Sequence, residues 1–260
     1  PKRLFYDLLK EGLNDQRHLA VTLENLFGVM ARGGVFGKDK IRHFNGHLFE
    51  DSTVFEFTEA ELKELAEAGE SDWQFIEPSI MGTLFQRALD EKQRAALGAQ
   101  YTGEPDIRDL VEPVLMAPLR REWVALKASL LPSINRDKGT PHDRARLAAF
   151  LQKLRSIIVL DPACGSGNFL YVSLQLLLAL EKEVIALATM LGFKFAPQVG
   201  VQQLRAIEIN PYAFELAQVS VQIGFLQWRR DNGFDNDRSP VLQNLDGFHN
   251  EDALLVPHFG

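Results

Sequence analysis

The stretch "VLDPACGSGNFLYVSLQLLL", residues 159–178, constrains the fold more than any other part of the chain. It sets a short apolar, strand-like run against an Asp-Pro corner, a Gly-Ser-Gly turn and a long apolar helix. A glycine-rich turn between a buried strand and a helix presents backbone N–H groups where the partial positive charge of the helix collects, so an anionic or electron-rich ligand group fits there. Gly165 and Gly167 permit backbone angles closed to other residues and let a ligand approach the main chain. Asp161, at the strand end, orients the loop or accepts a bond from an ammonium group. The dinucleotide-binding pattern asks for a third glycine where Leu170 stands, so that match is incomplete. The residues alone leave open a merely structural tight turn.

From Ser156 onward the pattern is strand, helix, strand, helix: "SIIVL", then Asn168 to about Leu191, then "LRAIEI", then "YAFELAQVSVQIGFLQW". Such alternation predicts βαβ units and a parallel sheet. In "AIEINPYAFELA", Glu208 falls at the end of the second strand, where α/β folds grip a ribose by its hydroxyls. Two glycines and a carboxylate then converge on one crevice. Glu208 follows Gly167 by 41 residues, where about 20 is usual, so the intervening helix or its return loop, "LGFKFAPQVG", is enlarged. A solvated strand-end carboxylate is the plain alternative for Glu208.

Before about Phe150 the apolar residues recur at helical spacing, as in "HLAVTLENLFGVMA" and "TEAELKELAEAG", where Thr58 and Glu61 have capping-box spacing. This half reads as mainly helical, broken at residues 31–37, 43–51, 97–106 and 134–143. The expected fold class is α/β, a helical N-terminal region followed by a sheet. The 260 residues, 46% hydrophobic and 24% charged, suit a globular chain of one or two domains. The most apolar stretch, Phe169 to Leu180, is interrupted by Ser173 and Gln175, so no membrane span is expected. With one cysteine and no signal peptide, a reducing cytoplasmic setting is expected. The net charge of −7 argues against this piece being a DNA clamp by itself, but not against a DNA enzyme whose basic parts lie elsewhere. Opening on Pro1 and stopping at "VPHFG", after what reads as the run-up to another strand, the sequence is expected to be an excised fragment.

"DPACGSGNFL" followed by "IEINPYA" resembles motifs I and II of S-adenosylmethionine-dependent amino-DNA methyltransferases, in the order used by adenine-N6 enzymes of the gamma group. Upstream, "LGAQYTGEPDI" resembles the "GAHYTS" segment of that group, with Tyr101 and Thr102 matching and Gln100 in place of the histidine. "FNGHLFED" and "FIEPSIMGTLFQRAL" resemble the helical connector of MmeI-like enzymes, which join a nuclease, a methyltransferase and a target-recognition domain in one polypeptide. The resemblance implies a connector over residues 1–96 and, over 97–260, the cofactor-binding first part of a Rossmann-like class I methyltransferase sheet. It implies S-adenosylmethionine as cofactor. The loop Asp161, Pro162, Ala163, Cys164, Gly165, Ser166 and Gly167, with Asn168 and Phe169, would hold the methionine part, and Tyr101 and Thr102 would close over it. Glu208 would bind the ribose beside Ile209, and Asp252, in "NEDALL", would meet the adenine amino group; an Asp at a strand or helix end is the equally simple reading of Asp252. Double-stranded DNA is the implied partner, through the full-length protein, and no metal is implied.

Other patterns carry less. Asp51, Glu61 and Lys63 mimic a metal-dependent nuclease, but their surroundings read as a charged helix face. His18, His43, His47, His142, His249 and His258 have no paired zinc spacing. Cys164 reads as a small buried residue, with no adjacent His or Lys to activate its thiol. "NPY" at residues 210–212 has proline in a first helical turn and lacks the second proline of the catalytic Asn-Pro-Pro-aromatic motif. That motif supplies acceptors for the amino group of a flipped-out base in the family. Without it, the chain is expected to be the inactive cofactor-binding part of a type II restriction-modification methyltransferase. The alternatives are a nucleotide-dependent oxidoreductase, a non-catalytic scaffold, and a methyltransferase acting on RNA or protein.

Overall fold

The computed structural model describes residues 4–41, 49, 51–70, 78, 80, 102–136, 138–234 and 245–255. The chain divides into two units, Pro1–Ile76 with Gly233–Asn244, and Glu77–Asn232 with Leu245–Gly260. The boundary expected near residue 96 lies outside the described residues.

In the first unit, α1 (Leu4–Gly12), α2 (Gln16–Arg32) and α3 (Glu59–Glu70) place Leu9, Leu19, Leu23, Leu62 and Ala66 in a small core. Leu19 and Leu23 share a face of α2 by their four-residue spacing. Asp15 caps α2, accepting from His18 N at 3.0 Å. The expected capping box on α3 is present: Thr58 N donates to Glu61 Oε2 at 2.8 Å, and Glu61 N to Thr58 Oγ1 at 3.3 Å. Lys63 pairs with Glu59 on the exposed side of the same helix, so the nuclease-like trio is helix-cap and surface chemistry. The break at residues 31–37 becomes a feature of its own. β1 (Gly34–Phe36) and β2 (Asp39–Ile41) pair antiparallel, with Gly37 at φ 57° in the turn, a conformation open to glycine.

In the second unit, α4 (Glu104–Val111) continues through a π-helical turn, Glu112–Met116, into α5 (Ala117–Ser129). Ala117 N reaches back five residues to Glu112 O, and Pro118 next to it has no N–H with which to continue the normal ladder. After the short α6 (Leu131–Ile134), α7 (Pro141–Ser156) starts at a capping box between Thr140 and Asp143. β3 (Val159–Asp161), β4 (Leu204–Ile207) and β5 (Phe248–His249) form a parallel sheet in that order, with Val159 opposite Leu204 and Ala206 opposite Phe248. α8 (Asn168–Met190) and α9 (Pro211–Asp231) connect them. The predicted strands and helices of this half are therefore found, with no end shifted by more than three residues. The two-residue β5 carries no hydrophobic periodicity that a sequence reading could use.

α8 is buried on nearly all sides, as its all-round apolar composition requires. Its Glu183 accepts from Trp123 Nε1 at 2.7 Å and Arg120 Nη1 at 2.8 Å, tying α5 to the central helix. The architecture is thus helices with small sheets, and among the described residues no helix is long and apolar enough to cross a membrane.

Asp143 is buried and accepts from the Ser133 hydroxyl at 2.7 Å, from Thr140 N at 2.9 Å and from the Thr140 hydroxyl at 2.7 Å. These donors, the Ser133 hydroxyl foremost, hold its carboxyl down to about 2. A depressed carboxyl contributes stability above its unfolded pKa, near 3.9, and loses it as pH falls toward the folded value. Thermal melts should show stability falling between about pH 4 and about pH 2, and Asp143→Asn should flatten that part of the profile. An identical slope in the variant would remove Asp143 from the account.

Candidate functional site

The loop between β3 and α8 is organised from its first residue. Asp161 Oδ1 accepts from Ala163 N at 3.1 Å, an Asx-type turn that bends the chain immediately after the strand. Burial raises the Asp161 carboxyl; the Ala163 N–H opposes this, and the charge of Glu208 adds to it. Cys164 N donates to Ile207 O at 3.0 Å, continuing the β3–β4 pairing beyond the ladder, and Gly167 N donates to Cys164 O at 2.8 Å, closing the turn.

The two glycines serve different needs. Gly167, at φ 81°, is buried, and a Cβ there would meet Ala217 Cα and Cβ at 3.1 Å and Ala217 O at 3.2 Å. It permits α8 to pack closely on α9. Gly165, at φ 54°, has nothing within 4 Å of where a Cβ would lie. The open side of the loop is at Gly165, so that is where a ligand can reach the main chain.

Glu208 lies just beyond β4 and is 8% exposed. Its Oε2 accepts from Gly165 N at 2.8 Å and its Oε1 from Asn210 N at 2.8 Å. Its own N–H donates to His249 O at 3.1 Å, and Asn250 Nδ2 donates to Glu208 O at 2.7 Å and Ile209 O at 3.2 Å. Asn210 then caps α9, its Oδ1 accepting from Tyr212 N at 2.9 Å and Ala213 N at 3.2 Å.

The structure thus brings together Asp161, Cys164, Gly165 and Glu208. Pro162 and Ala163 are exposed on the outside of the loop, Ser166 and Phe169 are half-buried, and Asn168 is buried with no partner for Oδ1 among the described residues. Ile209 is 64% exposed next to Glu208. Asp252 accepts from Leu254 N at 2.9 Å in a turn after β5. Among the described residues no hydrogen bond joins Asp252 or Thr102 to the loop, and Tyr101 lies outside those residues. Two asparagines join the site that the sequence had not assigned to it. Asn210 before Pro211 was legible as a helix cap, whereas Asn250 had no local signal, because its bonds cross to the neighbouring strand. Leu170, at the third-glycine position of the dinucleotide pattern, is fully buried in the core. Among the described residues no cluster of His, Cys, Asp or Glu could hold a metal ion.

This geometry coincides with a family match that spans both the loop and Glu208. Residues 136–243 match the MmeI DNA-methyltransferase domain. The resemblance carried by residues 161–170 and 207–213 is borne out by it. The chain is similar to DNA methyltransferase A of Bacillus subtilis (strain 168), 32% identical over 206 residues, 77% of this chain and 22% of that protein. It is also similar to the adenine-specific methyltransferase BrxX of Escherichia coli O9:H4 (strain HS), 31% identical over 131 residues, 44% of this chain and 11% of that protein. Among solved structures, the type IIL restriction-modification enzyme MmeI in complex with DNA superposes with a TM-score of 0.74 and 29% identity, covering 96% of this chain and 34% of that one. The chain therefore spans about a fifth of the Bacillus relative and about a third of MmeI.

Within the matched residues, Cys164 is 6% exposed. Burial, with the nearby carboxylates of Asp161 and Glu208, pushes its thiol well above the ordinary range. Alkylation by iodoacetamide at neutral pH should be slow in the folded chain and fast in denaturant. Comparable rates in both would contradict a buried, unactivated thiol.

Proposed function

We propose that the chain binds S-adenosylmethionine and forms the connector and cofactor-binding part of a DNA methyltransferase acting on adenine N6 within a restriction-modification enzyme. The observation that carries this reading is the bond from Gly165 N to Glu208, which joins two motifs 43 residues apart at the carboxyl ends of adjacent parallel strands. Ligands of α/β sheets bind in that position. The names of the similar proteins support the reaction class and DNA as the partner. The βαβαβ order supports a Rossmann-like sheet over residues 97–260, with residues 1–96 as connector.

The residues present fit the cofactor. The open side of Gly165 lets the methionine part lie against the loop backbone. Each Glu208 oxygen accepts one backbone N–H and retains a lone pair for a ribose hydroxyl. Ile209, exposed beside Glu208, would offer apolar surface to the adenine ring and Asp252 an acceptor for its amino group, and the family resemblance assigns Tyr101 and Thr102 to the methionine end. When bound, S-adenosylmethionine supplies a methyl group already activated by its sulfonium, so the protein's task is alignment. The 260 residues contain no Asn-Pro-Pro-aromatic segment to receive the flipped base.

Calorimetry tests the site. Hydrogen bonds to a charged acceptor are worth about 1.5–3 kcal/mol, so Glu208→Ala should weaken S-adenosylmethionine binding at least about tenfold. Gly165→Ala, which puts a methyl into the open space, should weaken it several-fold. Gly167→Val, expected from sequence alone to obstruct the ligand, clashes instead with Ala217 and should lower the melting temperature. Unchanged affinity in both Glu208→Ala and Gly165→Ala would overturn the assignment. A second assay follows methyl transfer. The 260-residue chain should transfer no labelled methyl group to DNA, while a polypeptide that includes an Asn-Pro-Pro-aromatic segment should label adenine N6; transfer by the 260 residues alone would refute this division of labour.

A further inference from the structure

We propose that Gln203 is a positioning residue for this site, setting the register of β4 against β3 and so the place at which Glu208 meets the Gly165 N–H. The inference rests on the cofactor-site reading above. Gln203 is 2% exposed and immediately precedes β4. Its Nε2 donates to Leu154 O at 2.8 Å and Ile157 O at 2.9 Å, the carbonyls through which α7 passes into β3. Its Oε1 accepts from Gly200 N at 3.1 Å. Both donors and the acceptor of one buried amide are thus spent on backbone groups of the two strand entries.

The need for such a residue follows from the ladder itself. β3 and β4 share three residue pairs, Val159 with Leu204, Leu160 with Arg205 and Asp161 with Ala206. So short a parallel ladder specifies register weakly, since the same backbone bonds can form after a slip. A one-residue slip turns every side chain to the opposite face, and a two-residue slip, which keeps the faces, displaces the strand by about 6.6 Å. Either is far larger than the tolerance of the 2.8 Å bond between Gly165 N and Glu208. Apolar packing against α8 does not exclude the two-residue slip, because it is non-directional. The Gln203 amide does, because a displaced β4 would carry Nε2 away from both carbonyls, leaving Ile157 O without this donor and Leu154 O with only the 3.4 Å bond from Ile157 N. The approach to this point is anchored as well. Glu181 on α8, itself 1% exposed, accepts from Gln198 N at 2.7 Å and Val199 N at 3.0 Å, holding the long return loop where it enters β4.

The test compares Gln203→Met, of similar length and without polar atoms, with Val184→Ala, a cavity variant in the buried face of α8. Two quantities are measured well below the melting transition of each: hydrogen exchange of the Gly165 amide by NMR, and S-adenosylmethionine affinity by calorimetry. Gln203→Met should lower Gly165 protection and cofactor affinity each by at least about tenfold. Val184→Ala, chosen for a comparable loss of melting temperature, should change neither. Equal Gly165 protection and equal affinity in the two variants would reduce Gln203 to an ordinary stabilising residue and overturn the proposal. If Gln203→Met does not fold, Gln203→Asn, which keeps the amide but is one methylene short, is read against the same control with the same criteria. A wild-type chain that binds no S-adenosylmethionine would defeat the functional reading, while the Gly165 exchange comparison, which needs no ligand, would still decide the role of Gln203.

Discussion

The hydrogen bond from the Gly165 N–H to the Glu208 carboxylate is the interaction on which the organisation of the candidate site depends. A carboxylate at 8% exposure is costly to bury unless both oxygens are satisfied, and here Gly165 N satisfies one and Asn210 N the other. The same bonds that make Glu208 tolerable in the fold therefore shape the loop and begin the next helix. Asp161, bonded to Ala163 N, and Asn250, bonded to the carbonyls of Glu208 and Ile209, extend this to a short network in which side chains hold main chain and main chain holds side chains.

Elsewhere in the second unit the same division of labour recurs. The apolar body of α8 provides the attraction, which is non-directional and leaves neighbouring elements free to slide. Isolated polar side chains then remove that freedom. Glu183 on α8 receives Trp123 and Arg120 from α5, Glu181 receives two backbone N–H groups of the return loop, and Gln203 bridges the entries of β3 and β4. Each is worth little as net stabilisation, yet each is expensive to leave unmade. Together they favour one arrangement over near neighbours of similar apolar burial.

Much of this was legible in the sequence. The 3.6-residue spacing of α2 and α3, the Thr58–Glu61 cap, the mostly apolar α8 and the strand-turn-helix around the Gly-Ser-Gly turn are local patterns, and local patterns are written in contiguous residues. The motif order, "DPACGSGNFL" then "IEINPYA", likewise pointed to an amino-DNA methyltransferase, and residues 136–243 match the MmeI DNA-methyltransferase domain. The β1–β2 hairpin and β5 escaped because strands of two or three residues are too short to show a period.

What the sequence by itself determined was which elements form and which residue types could carry a cofactor. What only the tertiary structure decided was which of those residues meet. Gly165 and Gly167 look interchangeable in the string, yet one faces open space and the other lies against Ala217 of a helix that begins 44 residues further along the chain. Gln203 and Asn250 look like ordinary surface amides, yet both are spent on carbonyls of distant or neighbouring segments. The physical reason is the same in each case: a residue's identity sets what it can bond, but partners separated by tens of residues are chosen only when strands and helices have packed and every buried donor and acceptor has found its place.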